Sequence, residues 1–266
     1  MKSLLGITKK VAALALGLVC IAQVAHANTL EEIKARKTIR IAVDLGTPPF
    51  GYTDAKLQPQ GSDYETAKLI AKDLGVELQI VEVTGPNRIP FLMTKKADIV
   101  VSSFSITPER MKAVQFSKPY GALDFVVAAP KSSPIKELKD LAGKRVGVVR
   151  GNIQDLRLTP IAPQGTTIVR FDDDATTATA LLSGQIDAIC TPSIVSNALA
   201  KQNPGKSLEN KFSISATAYA VGLRKEETAL TEWINNWVDT NRKNGKLAAI
   251  YKQWIGSDLP DLTQFD

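Results

Sequence analysis

Asp98-Ile99-Val100-Val101-Ser102-Ser103-Phe104-Ser105-Ile106-Thr107-Pro108-Glu109-Arg110 is the stretch from which the fold is read. An aspartate opens an apolar run, Ile99 to Ser102, that reads as a buried strand. Serines at 102, 103 and 105 follow it. Thr107-Pro108 then starts a helix, because proline fits the first turn, where its missing N–H is not needed. A strand ending in a polar turn and a helix start describes the carboxyl end of a strand in an open α/β sheet, where such sheets place their ligands.

Working outward, the alternation continues on both sides. Thr38 to Val43 reads as strand, Asp63 to Leu74 as helix, Glu77 to Val83 as strand and Arg88 to Thr94 as helix. In the helix from Asp63, Tyr64, Ala67, Ile70, Ala71 and Leu74 share one face, Ser62 or Asp63 can cap the start, and Gly75 ends it. After Pro130 the pattern begins again: helix from Ile135 to Leu141, strand from Arg145 to Val149, helix from Gln154 to Leu158, strand from Thr167 to Phe171, helix from Thr176 to Ser183 and strand from Ile186 to Cys190. Leu92 lies six residues before Asp98, and Leu181 six before Asp187, so the two halves share local phrasing. Each aspartate reads as a turn cap rather than a catalytic group.

Two similar units predict an α/β chain of two lobes with a ligand cleft between them, joined by two crossing strands, Asp124 to Ala129 and Thr217 to Leu223. The expected division is residues 28–123 with 218–266 in one lobe and 124–217 in the other. The tail from Glu227 to Ile255 reads as helical. Its tryptophans, Trp233, Trp237 and Trp254, follow the helix period and are expected in the core.

The 266 residues are 44% hydrophobic and 23% charged, which excludes collagen-like, coiled-coil and wholly disordered chains. The net charge of +6 suggests an anionic polymer as partner until the first 27 residues are examined. Lys2, Lys9 and Lys10 precede an apolar run from Val11 to Val24, and Ala25-His26-Ala27 follows with small residues around a cut, the layout of a cleaved export signal over residues 1–27. The run is shorter than the ~20 residues of a spanning helix. Val19 is bulkier than lipoprotein processing at Cys20 usually accepts. Without the signal the charge falls to +3, and the chain's only histidine, His26, leaves with Cys20.

That loss removes Ser-His-Asp and Cys-His catalysis and zinc sites built from His and Cys, and it leaves Cys190 without a disulfide partner. No glycine-rich run ends in Gly-Lys-Ser or Gly-Lys-Thr, and basic residues form no stripe for nucleic acid. No metal and no cofactor is expected.

Over nearly its whole mature length the chain resembles the periplasmic amino-acid-binding proteins of ATP-driven importers, the polar amino-acid group of solute-binding proteins. The resemblance rests on Asp98 to Tyr120, on Pro48-Pro49-Phe50-Gly51-Tyr52, on Gly61 to Glu65, on Gly143 to Asn152 and on Gly184 to Ile189, in that family's order and spacing. It implies a type II periplasmic binding protein fold, capture of a small solute by hinge closure, a monomer, and delivery to an ABC permease in the inner membrane.

Several residues carry binding chemistry. Arg110 can grip a carboxylate through two hydrogen bonds, and the resemblance assigns it the ligand's α-carboxylate. Ser103 and Ser105 match positions that touch the ligand's amino group or carboxylate. Phe50 offers an aromatic face to the aliphatic part of a ligand, whereas Tyr52 is expected to pack. Asn152 stands where the family usually carries threonine, at a helix start in the second lobe. After the strand of Asp187 the family commonly carries an acid for the ligand's ammonium, and Pro192 stands there instead. Thr191 or Asp44 is left to substitute for it. Arg88 occupies the segment where relatives selective for aspartate and glutamate carry an arginine. Two arginines and a missing acid point to an acidic amino acid or dicarboxylate. The other readings are a cyclohexadienyl-dehydratase-like enzyme on the same fold, and a sensor that presents its ligand to a receptor.

Overall fold

The computed structural model describes residues 29–263, so the expected export signal over residues 1–27, with Cys20 and His26, lies outside the described residues. The strands there are β1 (Thr38–Val43), β2 (Gly46–Thr47), β3 (Gly51–Thr53), β4 (Pro59–Gln60), β5 (Glu77–Glu82), β6 (Ile99–Val100), β7 (Gln115–Pro130), β8 (Arg145–Val149), β9 (Thr167–Phe171), β10 (Ala188–Pro192) and β11 (Leu208–Leu223). Except for the small sheet β2-β3-β4, they form one sheet in the order β5-β1-β6-β11-β7-β10-β8-β9.

Read inward from either end, that order repeats itself. β5-β1-β6 and β9-β8-β10 are each a second, first and third strand of a parallel set. Each set meets the antiparallel pair β7 and β11 that runs between them. The protein is thus a two-lobed α/β fold of type II, with two 16-residue strands shared by both lobes.

The crossing strands are longer than the sequence suggests. Asp124 to Ala129 is the second half of β7, because Lys118 and Pro119 interrupt the apolar pattern of its first half. Asp124 pairs with Ala216 and Leu123 with Thr217, midway along the ribbon. Ile135 to Leu141 is not the expected helix: only a 3-10 turn, Leu138–Leu141, forms there, after Pro134. The helical tail is broken in two by Gly245, which takes φ 78° between Thr228–Lys243 and Lys246–Ile255.

Each lobe has its own core. Ile39, Ile41, Ile70, Val221 and Leu230 pack in the first, and Val127, Val146, Val148 and Ala188 in the second. Trp237 is buried in the first core and Trp233 packs against it. Trp237 also donates its indole N–H to Asp73 at 2.9 Å.

The twin aspartates tie strands rather than cap their own turns. Asp98 accepts the Arg40 amide at 2.7 Å and the Arg40 guanidinium at 2.8 Å, and also pairs with Arg36. Asp187 does the same with Arg145, at 2.8 Å and 2.9 Å. In both lobes an acid before the third strand thereby fixes the start of the first.

Candidate ligand-binding site

The first turn of helix Pro108–Ala113 is built by Thr107, whose hydroxyl accepts the Arg110 amide at 3.1 Å. This places Arg110 one turn beyond the serine loop, 6% exposed. One guanidinium nitrogen donates to the Ser105 carbonyl at 2.9 Å, and the group lies over the Phe104 ring at 4.6 Å. It forms no ion pair among the described residues. Burial and the nearby charge of Arg88 pull its pKa down to about 9. Glu109, the neighbour that could have paired with it, is exposed.

Arg88, at the start of helix Arg88–Met93, is 5% exposed and donates to Asp44 at 3.1 Å. Asp44 also accepts the Gly46 amide at 3.0 Å. Ser103 takes φ 38°, a left-handed conformation that side chains rarely adopt, and hydrogen-bonds to Asp63. Asp63 does not cap its helix. It is 1% exposed and accepts the Tyr120 hydroxyl at 2.9 Å, while burial pushes its pKa up to about 7.

The second lobe closes on these groups. Arg88 donates to Asn152 at 3.4 Å, and Arg110 reaches the Gly151 carbonyl at 3.5 Å. Thr47 donates to Asp174 at 3.0 Å. The space left between the lobes is about 20 Å³, lined by Phe50, Arg88, Ser103, Ser105, Arg110 and Asn152 of the expected residues, with Thr47, Asp174 and Pro192 beside them. Phe50 is 1% exposed and packs edge-on against Tyr219. Tyr52 packs against Trp254, outside the cleft.

Two expected residues do not line this space directly. Asp44 reaches it through Arg88. Thr191 opens instead onto a neighbouring crevice, since successive residues of β10 face opposite ways and Pro192 takes the cleft side. The acid on the cavity lining that was missed from sequence is Asp174. Asp172, Asp173 and Asp174 are three acids in a row, of which Asp173 caps its helix through the Thr176 amide at 2.7 Å and Asp172 is exposed. Only the packing of helix Asp174–Leu182 against the Gly46–Pro48 loop shows that the third faces the cleft. Burial, with the charge of Asp44, raises its pKa to about 7.

A wider groove of about 1050 Å³ crosses the hinge near Asp124 and Trp254, but no arginine lines it.

The comparisons with known proteins agree with this geometry. Residues 39–257 match the bacterial extracellular solute-binding proteins, family 3. The chain is 33% identical over 236 residues to the glutamine-binding protein of an ABC transporter of Bacillus subtilis, covering 87% of this chain and 86% of that one. It is similar to a mutant of the arginine-binding protein of T. maritima (TM-score 0.80, 34% identity, 86% and 99% of the two chains). It is also similar to a solute receptor for L-cysteine of Neisseria gonorrhoeae (TM-score 0.80, 32% identity, 85% and 92%). The paired lobes, the shared crossing ribbon and the match over 39–257 lead to one conclusion: the chain belongs to family 3 of the bacterial extracellular solute-binding proteins.

Proposed function

We propose that this chain is the periplasmic solute-capturing component of an ABC amino-acid importer, acting as a monomer and closing its lobes on a small α-amino acid before docking on the permease. The observation that carries the reading is Arg110, buried and without a counter-ion among the described residues. A guanidinium held out of water without an acid is costly, and a ligand carboxylate supplies the missing charge. Relatives named for glutamine, arginine and L-cysteine support an amino acid as that ligand.

Roles follow from position. Arg110 takes the α-carboxylate beside Ser103 and Ser105, and Phe50 covers the apolar part. Asn152 contributes from the second lobe. Asp174 and Asp44 receive the ammonium, which answers the absence of an acid at Pro192. This weakens the argument for an acidic ligand, because Asp44 neutralises Arg88 and Asp174 adds a further carboxylate to the cleft. Among the described residues the moving bodies are 29–123 with 218–263, and 124–217, with the Asp124 and Ala216 pair at the hinge. Binding favours closure because the ligand touches both lobes only in that state.

The test is calorimetric titration of the purified protein with the twenty amino acids. Arg110→Ala should weaken the best ligand by about thirtyfold or more, the low end of removing one partner of a buried charge pair. Unchanged affinity would defeat the proposal. One observation favours a second reading: Asp174 lines the cleft and burial raises its pKa to about 7, the range of a general acid for a dehydration of the cyclohexadienyl type. Turnover of such a substrate, abolished in Asp174→Asn, would select it.

A further inference from the structure

Directly behind the cleft lies a second space of about 170 Å³. It sits in the second lobe between helices Asp174–Leu182 and Ser193–Gln202, on the face of β10 that carries Ile189 and Thr191. Ala175, Ala178, Ile189, Val195 and Leu199 make its walls apolar, and Pro48 of the first lobe completes them.

This crevice is continuous in lining with the ligand cavity. Asp174 borders both spaces, and Thr47, which borders the cavity, stands between Gly46 and Pro48, which border the crevice. The Thr47 to Asp174 hydrogen bond is therefore the partition between them. An ammonium group on Asp174 would replace the Thr47 hydroxyl and join the two.

Size and polarity then identify what enters. The cavity beside Arg110 is about 20 Å³, so the lobes must part slightly to seat the ligand's carboxylate and ammonium, and no room is left there for a side chain. An apolar cavity of ~150 Å³ holds a group the size of benzene, so the crevice has room for a side chain of about six heavy atoms. Asp174 is the one ionisable residue on its wall, and it stands at the end shared with the cavity. Thr191, on the same lining, is 2% exposed and its hydroxyl oxygen has no hydrogen-bond partner among the described residues. A buried hydroxyl left unpaired marks a place for a polar atom of the occupant.

We propose that this crevice is the side-chain pocket of the ligand and that it selects neutral, largely apolar side chains, with Thr191 reading a single polar atom. The inference rests on the reading of the cleft as an α-amino-acid site. A guanidinium side chain would enter apolar walls with Asp174 already engaged by the ammonium, and a carboxylate side chain would meet no cation on those walls.

The test is titration of the full-length mature protein with glycine, alanine, cysteine, valine, methionine, glutamate and arginine. The tightest ligand should have a neutral side chain. Ala178→Leu, and Ala178→Phe as the larger step, should weaken valine and methionine by about tenfold or more, as expected when space for even one methylene is lost, while glycine and alanine change little. Thr191→Val should weaken cysteine but not valine. Tightest binding of glutamate or arginine overturns the inference, as does unchanged affinity for the larger side chains in both Ala178 variants. If Arg110→Ala loses all binding while the Ala178 variants behave like the parent, the side-chain assignment fails and the amino-acid reading stands. If Arg110→Ala binds normally, the underlying reading fails.

Discussion

Thr47 and Asp174, separated by 127 positions in the chain, meet across the cleft with the threonine hydroxyl donating to the carboxyl at 3.0 Å. The contact joins β2 to the helix after β9, so it exists only when the lobes are closed. Closure buries Asp174, and that burial, with the charge of Asp44, raises its pKa to about 7 against the lowering effect of the Thr47 hydrogen bond.

Closure of the empty protein should therefore be linked to protons. Between the ordinary carboxyl value of 3.8 and about 7 the closed form holds a proton on Asp174 that the open, solvated form releases. The closed fraction should rise as pH falls from 7 towards 4 and decline as pH rises through 7. Asp174→Asn, which cannot ionise, should close to the same extent across that range. Spin-label distances between the lobes, measured without ligand at pH 5 and pH 8, check this; equal distances in the parent protein would contradict it.

Gly85 of the first lobe faces the Asn152 side chain of the second at close range. A Cβ there would lie 2.3 Å from the Asn152 side-chain oxygen, far inside contact distance, and Asn152 is held in place by Arg88. Gly85→Ala should act as a wedge that leaves each lobe's core untouched. Its melting temperature should match the parent within about 2 °C, while ligand affinity falls by about tenfold. Adding Asn152→Ala should relieve the wedge, so the double variant binds better than Gly85→Ala alone. If the two effects simply add, the wedge does not act through Asn152.

The fold was largely legible because its signals are local. Parallel strands such as Arg145–Val149 and Thr167–Phe171 are short runs dominated by apolar or β-branched residues between turn residues, and their bounds agree with the structure. Of the residues lining the space between the lobes, Ser103, Ser105 and Arg110 were singled out through one closely spaced motif and Phe50 through another, Pro48 to Tyr52. Asp174 was not, because three consecutive aspartates look alike until a helix from one lobe meets a loop from the other. Asp63 was missed for a related reason. Its place at a helix start suggests capping, and only the distant Tyr120 shows that its carboxyl points into the core.

Arg224 offers a test of stability separate from binding. It is 2% exposed, donates to the carbonyls of Leu92 and Ala97 at 2.9 Å and 3.1 Å, and pairs with Glu227, which also accepts the Thr29 hydroxyl. Arg224→Met strands Glu227 and two carbonyls, and should destabilise the protein by ~3 to 5 kcal/mol in urea unfolding. Ligand affinity of the folded variant should be unchanged, since the cluster lies at the far side of the first lobe from Arg110. A loss below about 1 kcal/mol would show that the cluster does not hold the lobe together.

Asp63 should make the fold itself sensitive to pH. Its carboxyl is buried against Tyr120 and Ser103, with Arg88 and Asp44 the nearer charges, and burial outweighs the hydrogen bonds to raise its pKa to about 7. Below the ordinary value of 3.8 both folded and unfolded chains are protonated there. Between 3.8 and about 7 the folded chain keeps the proton and the unfolded chain does not, so this group's contribution to stability declines as pH rises through that window. Asp63→Asn has no proton to lose and can still accept from the Tyr120 hydroxyl. The difference in unfolding free energy between parent and variant should thus move in favour of the variant from pH 4 to pH 7 and level off above it. Denaturant melts of both proteins across that range measure the difference; a constant gap would mean that Asp63 ionises as readily inside the protein as in water.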